Sequence, residues 1–120
     1  MTYTTAVMKE TLRLHPLAST YRRGSAAFHF VYEGVRYPTK GALIQTTPTV
    51  VHLRSDVWPR ATEFLPERFL VPEEHPLHPP RNAWRAFELG YTRCIGEELA
   101  MMEMKLVLVL TVQELEFNFD

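Results

Sequence analysis

The residue with the clearest chemistry in this sequence is its single cysteine, Cys94, in the stretch FELGYTRCIG at residues 87–96. Gly90 and Gly96 lie on either side of it, Arg93 precedes it, and an apolar helix is predicted to begin just after it. Unpaired N–H groups and the dipole at a helix start stabilise a thiolate, and a neighbouring arginine adds positive charge. Glycines allow a flat, bulky group to approach the backbone. The pattern therefore suits a thiolate that binds a planar metal cofactor.

Two other interpretations of a lone cysteine stay open on these residues alone. A single thiol is more often an inert buried side chain than a ligand. A nucleophilic cysteine needs a histidine close in space, and the sequence does not show which histidine would pair with it among His15, His29, His52, His75 and His78.

Three charged residues are candidates for a structural role. Glu10 and Arg13 lie three positions apart in KETLRLHP, so they share one face of a helix and can pair. An exposed pair of this kind contributes only on the order of a few tenths of a kcal/mol. In the interior, with Arg68 of LPERF as a third member, the pair would fix an irregular coil to the helix. We therefore predict a structural cluster of Glu10, Arg13 and Arg68.

The first three segments of the chain differ in pattern. A helix is predicted over about residues 3–15, and Pro16 ends it because proline moves its predecessor out of the helical region. Residues 26–53 are rich in β-forming residues and predict a hairpin, AFHFVY and VRYP around Glu-Gly, with ALIQ of residues 42–45 extending the same small sheet. Residues 54–86 hold six of the nine prolines but also Trp58, Phe64, Phe69 and Trp84, which predicts an ordered coil.

The last predicted helix, over about residues 95–113, is unusually apolar. Its apolar residues repeat at steps of four and three, at Ile95, Leu99, Met102, Leu106 and Val109. Most of its circumference is therefore expected to be buried. Because little else in 120 residues could bury it, the helix predicts self-association or a place in a larger protein, with a self-contained core helix as the alternative. The alternation of Leu115, Phe117 and Phe119 then predicts the start of a strand.

Composition narrows the classes of function. The chain carries 13 Lys and Arg against 14 Asp and Glu, for a net charge of -1, with no block of like charge, so nucleic-acid binding is not expected. One cysteine cannot form an internal disulfide, which favours an intracellular, reducing compartment. No signal peptide is visible, and the longest apolar run, residues 106–112, is far shorter than the roughly 20 residues of a membrane helix.

Three motifs in one order carry a resemblance to a known family. They are Glu-x-x-Arg on a helix, Pro-Glu-Arg-Phe in a Pro-rich coil, and Phe-x-x-Gly-x-x-x-Cys-x-Gly at a helix start. With RLHP, HLRSDVWPRATEFLPERF and CIGEELAMMEMK they extend the resemblance over nearly the whole chain. The chain resembles the C-terminal part of a cytochrome P-450, the haem-thiolate monooxygenase family, and is most similar to fungal members. The resemblance implies an α+β fragment of that mostly α fold, with residues 1–120 as one partial domain that lacks the distal helix and the N-terminal region.

The resemblance also implies roles for the residues of the cysteine loop. Cys94 would be the axial thiolate ligand of the haem iron, and Phe87 would pack near the loop. Gly90 would permit the turn, and Gly96 would let the following helix lie close under the porphyrin. Glu10, Arg13 and Arg68 would fold the haem pocket without touching oxygen.

The segment LASTYRR resembles the strand that borders the substrate pocket in the family. Arg22 is the residue expected to bind a haem propionate, with Arg23 as its competitor. Leu17 and Ala18 would face substrate or serve packing alone.

The chain departs from the family inside the cysteine loop. Thr92 stands where a basic residue normally pairs with a propionate, and Arg93 occupies the next position. We therefore include Arg93 among the expected haem contacts, on condition that the loop shifts.

The function that the resemblance implies is insertion of one oxygen atom from O₂ into a small organic substrate, with electrons from a reductase. It suggests the endoplasmic reticulum membrane for a complete chain. A non-catalytic remnant that binds haem weakly or not at all is the alternative. A haem-thiolate enzyme that catalyses isomerisation, dehydration or peroxide chemistry is a third class.

Overall fold

The computed structural model of the chain describes residues 2–116 and 118. Along these residues the elements are α1 (Tyr3–Leu14), β1 (Thr20–Arg23), β2 (His29–Tyr32), β3 (Val35–Pro38), β4 (Leu43–Thr46), α2 (Pro48–His52) and α3 (Glu97–Glu114). Two short 3₁₀ helices, Pro66–Phe69 and Gly90–Thr92, lie between α2 and α3. This composition confirms the predicted α+β class.

Helix α1 confirms the first predicted helix. Thr2 is its N-cap, and the hydroxyl oxygen of Thr2 accepts a hydrogen bond from the N–H of Thr5 at 3.4 Å. The helix ends at Leu14, before Pro16 can interrupt it. Its buried positions are Ala6, Met8, Glu10, Leu12 and Arg13. Two of the predicted charged residues therefore point into the interior of the chain.

The β region contains two separate two-stranded sheets. Strands β2 and β3 form the predicted hairpin, and Glu33 and Gly34, with φ of 49° and 78°, form its two-residue turn. The prediction that residues 42–45 extend this hairpin is wrong, because β4 pairs antiparallel with β1, with Thr20 opposite Thr46.

Two backbone segments approach closely just beyond the paired strands. A Cβ atom on Gly24 would lie 1.9 Å from the carbonyl oxygen of Thr39, so only glycine fits there. Directly after β1, the N–H of Gly24 donates to the carbonyl of Ala42 at 2.9 Å. Strand alternation in the sequence indicated strands but not their partners. The short helix α2 also lies within residues 26–53, whose β-rich composition did not predict it.

The Pro-rich segment is an ordered coil, as predicted. Trp58 is fully buried at its centre, with Ala61 and Ala83 beside it and Phe69 and Trp84 packed around them. Phe64 is about half exposed and lies outside this cluster. Aromatic packing thus organises a segment in which prolines prevent most regular hydrogen bonding.

Helix α3 confirms the last predicted helix, with a start two residues later than expected. None of its residues is buried within the described chain, which contradicts the alternative of a self-contained core helix. Burial of the helix by self-association or in a larger protein stays a prediction. Leu99, Met102, Leu106 and Val109 remain 49–66% exposed. Among the described residues, no helix combines the length and hydropathy needed to cross a membrane. Phe117 and Phe119, which carried the predicted strand, lie outside the described residues.

Candidate functional site

The cysteine loop is a tight turn that closes on Phe87. The backbone N–H of Cys94 donates to the carbonyl oxygen of Phe87 at 2.8 Å, and the N–H of Arg93 donates to that of Gly90 at 3.1 Å. Gly90 has a φ of 66°, a left-handed conformation that side chains disfavour. Cys94 itself is exposed. The loop therefore presents its sulfur outward just before α3.

The two glycines of the loop differ in their surroundings. A Cβ atom on Gly90 would meet no atom within 4 Å, so only the positive backbone φ angle favours glycine at this position. Gly96 has a φ of -88°, which any residue can adopt, and an added Cβ would lie 3.8 Å from the Sγ atom of Cys94. Nothing within the chain therefore requires glycine at position 96. What its absent side chain provides is open space beside the sulfur.

A depression of about 320 Å³ lies beside Cys94. Apolar residues form much of its wall, namely Leu12, Leu17, Ala18, Pro48, Ala86 and Phe87. Polar positions are contributed by Thr20, Arg85, Glu88 and Thr92. Tyr91 and Ile95, on either side of the sulfur, are fully exposed. The loop thus combines an accessible thiol with a largely apolar surface, which is suited to a flat hydrophobic ligand.

Arg93 lies outside this depression. Its Nε donates to Oε2 of Glu97 at 2.6 Å in an exposed ion pair at the start of α3. The hydrogen bond from Arg93 to Glu97 raises the pKa of the arginine. Thr92 is the residue that lines the depression, and its hydroxyl donates to the carbonyl of Leu89 at 3.3 Å.

Arg22 lies on the exposed strand β1. Its Nη1 donates to the carbonyl oxygen of Tyr21 at 2.8 Å, and it does not line the Cys94 depression. Thr20, two positions earlier on the same face of the strand, does contact the cysteine loop through Glu88. Leu17 and Ala18, expected at the substrate pocket, both line the depression.

The three predicted structural residues meet in the interior. Arg13 donates to both carboxylate oxygens of Glu10, from Nε at 2.8 Å and from Nη2 at 2.9 Å. Arg68 donates from Nε to Oε1 of Glu10 at 3.0 Å. All three side chains are fully buried. Glu10 thus accepts from two arginines that are 55 residues apart in sequence.

The Arg13 side chain also binds backbone carbonyl groups of the segment that follows β4. Its Nη1 donates to the carbonyl oxygens of His52 and Ala61 at 2.7 and 2.6 Å, and its Nη2 donates to that of Glu63 at 3.0 Å. Such charged hydrogen bonds replace the regular ladders that this segment lacks. The guanidinium groups of Arg13 and Arg68 lie 5.2 and 5.6 Å from the ring centroid of Trp58.

A row of aromatic rings connects this interior to the cysteine loop. Trp58, Phe69, Trp84 and Phe87 follow one another with centroid separations of 6.3, 6.3 and 6.0 Å. The Nζ atom of Lys9 lies 5.6 Å from the Phe69 ring and 5.2 Å from the Trp84 ring. Burial lowers the pKa of Lys9, partly offset by Glu97. The position of Phe87 is therefore set from the core outward.

The sequence analysis missed Arg85 and Glu88. Oε2 of Glu88 accepts from Nη2 of Arg85 at 2.7 Å, and its Oε1 accepts from the hydroxyls of Thr20 and Thr46 at 2.8 and 2.9 Å. Burial alone would raise the pKa of Glu88, but the hydrogen bonds from Arg85, Thr20 and Thr46 hold it below its usual value. Glu88 is buried at a left-handed φ of 59°. The pairing of Arg85 with Glu88 is local, since the two residues lie three positions apart. No local pattern in the sequence indicates the threonine contacts, because Thr20 and Thr46 come from distant strands.

Comparison with known proteins identifies the family of this chain. Residues 1–120 match the family model described as Cytochrome P450. The chain belongs to the cytochrome P450 family. It is 46% identical over 114 residues to cytochrome P450 monooxygenase polC of Polytolypa hystricis, an alignment that covers 94% of this chain and 20% of polC. Cytochrome P450 monooxygenase PC-23 of Penicillium crustosum is 39% identical over 96% of this P450 chain and 56% of its own length.

A solved structure supports the same fold. A structure described as retinoic acid bound cyanobacterial CYP120A1 superposes on this P450 chain with a TM-score of 0.80 and 31% sequence identity. The match covers 95% of this chain and 26% of CYP120A1. These comparisons confirm the resemblance noted from the motifs, including its fungal character. The chain spans about a fifth of the length of polC and of ptmG from Penicillium ochrochloron.

Haem is the cofactor of the cytochrome P450 family, and the residues around Cys94 fit it. Cys94, the only cysteine in the sequence, is exposed and lines the depression, with no side chain at Gly96 to obstruct a planar group. The apolar wall formed by Leu17, Ala18 and Phe87 suits a macrocycle.

Proposed function

We propose that Cys94 is the axial thiolate ligand of a haem iron and that this chain forms the cysteine side of a haem-thiolate monooxygenase. The observation that carries the proposal is the exposed Cys94 sulfur at a largely apolar depression, next to a position without a side chain. Membership of the P450 family supports the same reaction class.

Each loop residue then has a separate task. Phe87 holds the loop through the hydrogen bond that its carbonyl oxygen accepts from the Cys94 N–H, and its ring packs against that of Trp84. Gly90 provides the left-handed turn, and Gly96 keeps the space beside the sulfur open. The N-cap of α3, Gly96, makes no side-chain hydrogen bond, so it does not satisfy the unpaired backbone N–H groups at the start of the helix.

The buried cluster of Glu10, Arg13 and Arg68 serves the site indirectly in this proposal. It fixes α1 to the coil that carries Trp58. The packed rings of Phe69 and Trp84 then connect Trp58 to Phe87. Arg22 and Arg93 remain proposed contacts for the haem propionates. Arg93 would have to leave Glu97 to make such a contact.

Haem bound through a thiolate supplies O₂ activation, because sulfur donates electron density that favours O–O cleavage. The complete reaction would take a small organic substrate, O₂ and electrons from a reductase, and we propose these as partners. The endoplasmic reticulum is the proposed location of the complete enzyme. Within this chain, Leu17 and Ala18 are the apolar residues nearest to where a substrate would lie, and they would exclude water there.

The proposal is tested with the carbon-monoxide difference spectrum of the reduced, haem-reconstituted chain. A thiolate-type red-shifted band is expected. Cys94→Ser should abolish the band, and Cys94→His should replace it with an imidazole-type spectrum, because the ligand atom changes from sulfur to nitrogen. Thr92→Ser, a change two residues away that retains the hydroxyl, is the matched control. A soluble, folded chain that binds haem with the same spectrum in wild type and Cys94→Ser would refute the assignment.

A further inference from the structure

The depression beside Cys94 contains one cationic side chain among the described residues that line it, namely Arg85. Thr92, a lining residue two positions before the cysteine in the sequence, is uncharged. Arg93 is engaged with Glu97, and Arg22 lies away from the depression. A ligand with anionic groups that entered the depression would therefore meet the guanidinium of Arg85.

Arg85 is held in place from two sides. Its backbone N–H donates to Nε2 of the buried His52 at 2.9 Å. Its Nε and Nη2 donate to Oε2 of Glu88 at 3.2 and 2.7 Å, while Thr20 and Thr46 occupy the other oxygen of that carboxylate. The guanidinium is thus oriented before any ligand arrives, which reduces the entropy that binding would cost.

Donor capacity remains on this guanidinium. Its side chain is 35% exposed, and among residues 2–116 and 118 its Nη1 makes no hydrogen bond. An arginine presents five N–H donors in a planar fork, so it can bind Glu88 on one edge and a second carboxylate on another. The negative charge of Glu88 reduces the attraction of Arg85 for a second anion.

We propose that Arg85 binds a haem carboxylate and so supplies the cationic contact that Thr92 cannot make, with Glu88 as the residue that positions it. The inference rests on the proposed haem site at Cys94. The proposed contact thus comes from a residue that lines the depression and precedes the cysteine loop in the sequence.

The test compares two probes, haem and haem dimethyl ester, in which both carboxylates are masked. Both are titrated into the 120-residue chain and followed by absorbance. Arg85→Gln should weaken haem binding about five- to tenfold, as for a partly exposed charged hydrogen bond, and should leave binding of the diester nearly unchanged. Arg85→Lys should lose less than Arg85→Gln, because it keeps the charge. Arg81→Gln, an exposed arginine outside the depression, is the matched control.

A merely structural role for Arg85 predicts a different pattern. If Arg85 only neutralises Glu88, Arg85→Gln should weaken both probes equally and Glu88→Gln should reproduce its effect. Our proposal instead expects Glu88→Gln to retain the preference for haem over the diester. Equal losses for both probes in Arg85→Gln, or no loss for either, would overturn it.

The inference and the proposed function fail in distinguishable ways. If the wild-type spectrum does not depend on Cys94, the haem site is wrong and this inference falls with it. If Cys94→Ser alters the spectrum but Arg85→Gln leaves haem affinity unchanged, only the inference is refuted. If circular dichroism shows that Arg85→Gln does not fold, the same two probes are compared in Arg85→Lys. Equal affinities of wild type and Arg85→Lys for both probes would count against a carboxylate contact.

Discussion

The backbone N–H of Arg85 donates to Nε2 of His52 across 2.9 Å. The other ring nitrogen of His52, Nδ1, lies 3.0 Å from the carbonyl oxygen of Arg13. Because a carbonyl only accepts, Nδ1 carries the proton, and Nε2 must be unprotonated to accept from Arg85. A neutral, fully buried imidazole therefore links α1 to the segment that leads into the cysteine loop.

This link makes stability depend on pH. Burial lowers the pKa of His52 below its usual 6.5, the Arg13 carbonyl raises it, and the charge of Arg13 lowers it again. With the folded-state pKa below the unfolded one, the contribution is fully present above pH 6.5 and is lost as pH falls through the folded-state pKa. We expect urea midpoints to fall from pH 7.5 towards about pH 5 in wild type.

The His52→Gln variant isolates that effect. The glutamine amide has an NH₂ donor group and a carbonyl acceptor but no titrating group, so the urea midpoints of the variant should fall less over the same range. The exposed His15→Gln is the control and should retain the wild-type slope. An equal pH slope in wild type and His52→Gln would show that His52 does not carry the dependence.

Glu10→Gln should be strongly destabilising. It leaves the guanidinium groups of Arg13 and Arg68 buried without a counter-ion, and breaking a buried ion pair in this way costs about 3–5 kcal/mol. The measurement is the free energy of unfolding in urea. The matched control is Glu63→Gln, which removes an exposed carboxylate paired with Arg60 and should change little. Similar, small losses in both variants would contradict a stabilising role for the buried cluster.

The two glycines of the cysteine loop should respond differently to alanine. Gly90→Ala places a side chain at a φ of 66° and should cost about 1–2 kcal/mol in the haem-free chain. Gly96→Ala meets only ordinary contact with Cys94 at 3.8 Å, so haem-free stability should stay within about 0.5 kcal/mol of wild type. Haem affinity should nevertheless fall in Gly96→Ala, because the methyl group occupies the space beside the sulfur. Unchanged haem affinity there would argue against a porphyrin over Gly96.

Thr92→Arg should tighten haem binding. Thr92 lines the depression, so an arginine there adds a second cation to Arg85, which is the one cationic side chain among the described residues of the lining. The gain should be greatest in the Arg85→Gln background, since the two cations would then serve the same carboxylates. Thr92→Gln, similar in length but uncharged, is the control, and haem retention is the measurement. Thr92→Arg with wild-type haem affinity in both backgrounds would count against the prediction.

Local sequence determined most elements and the ligand candidate. Apolar spacing and Pro16 set α1, the Glu33–Gly34 turn set the hairpin, and Cys94 between glycines indicated the ligand loop, because these signals act over a few residues. Only tertiary structure decided that β4 pairs with β1, because the alternation of residues in a strand does not specify its partner. The charged residues divide in the same way. Glu10 and Arg13 were evident as helix neighbours, whereas Arg85, Glu88 and His52 acquire their roles from residues 33 to 68 positions away, a pairing that no local pattern specifies.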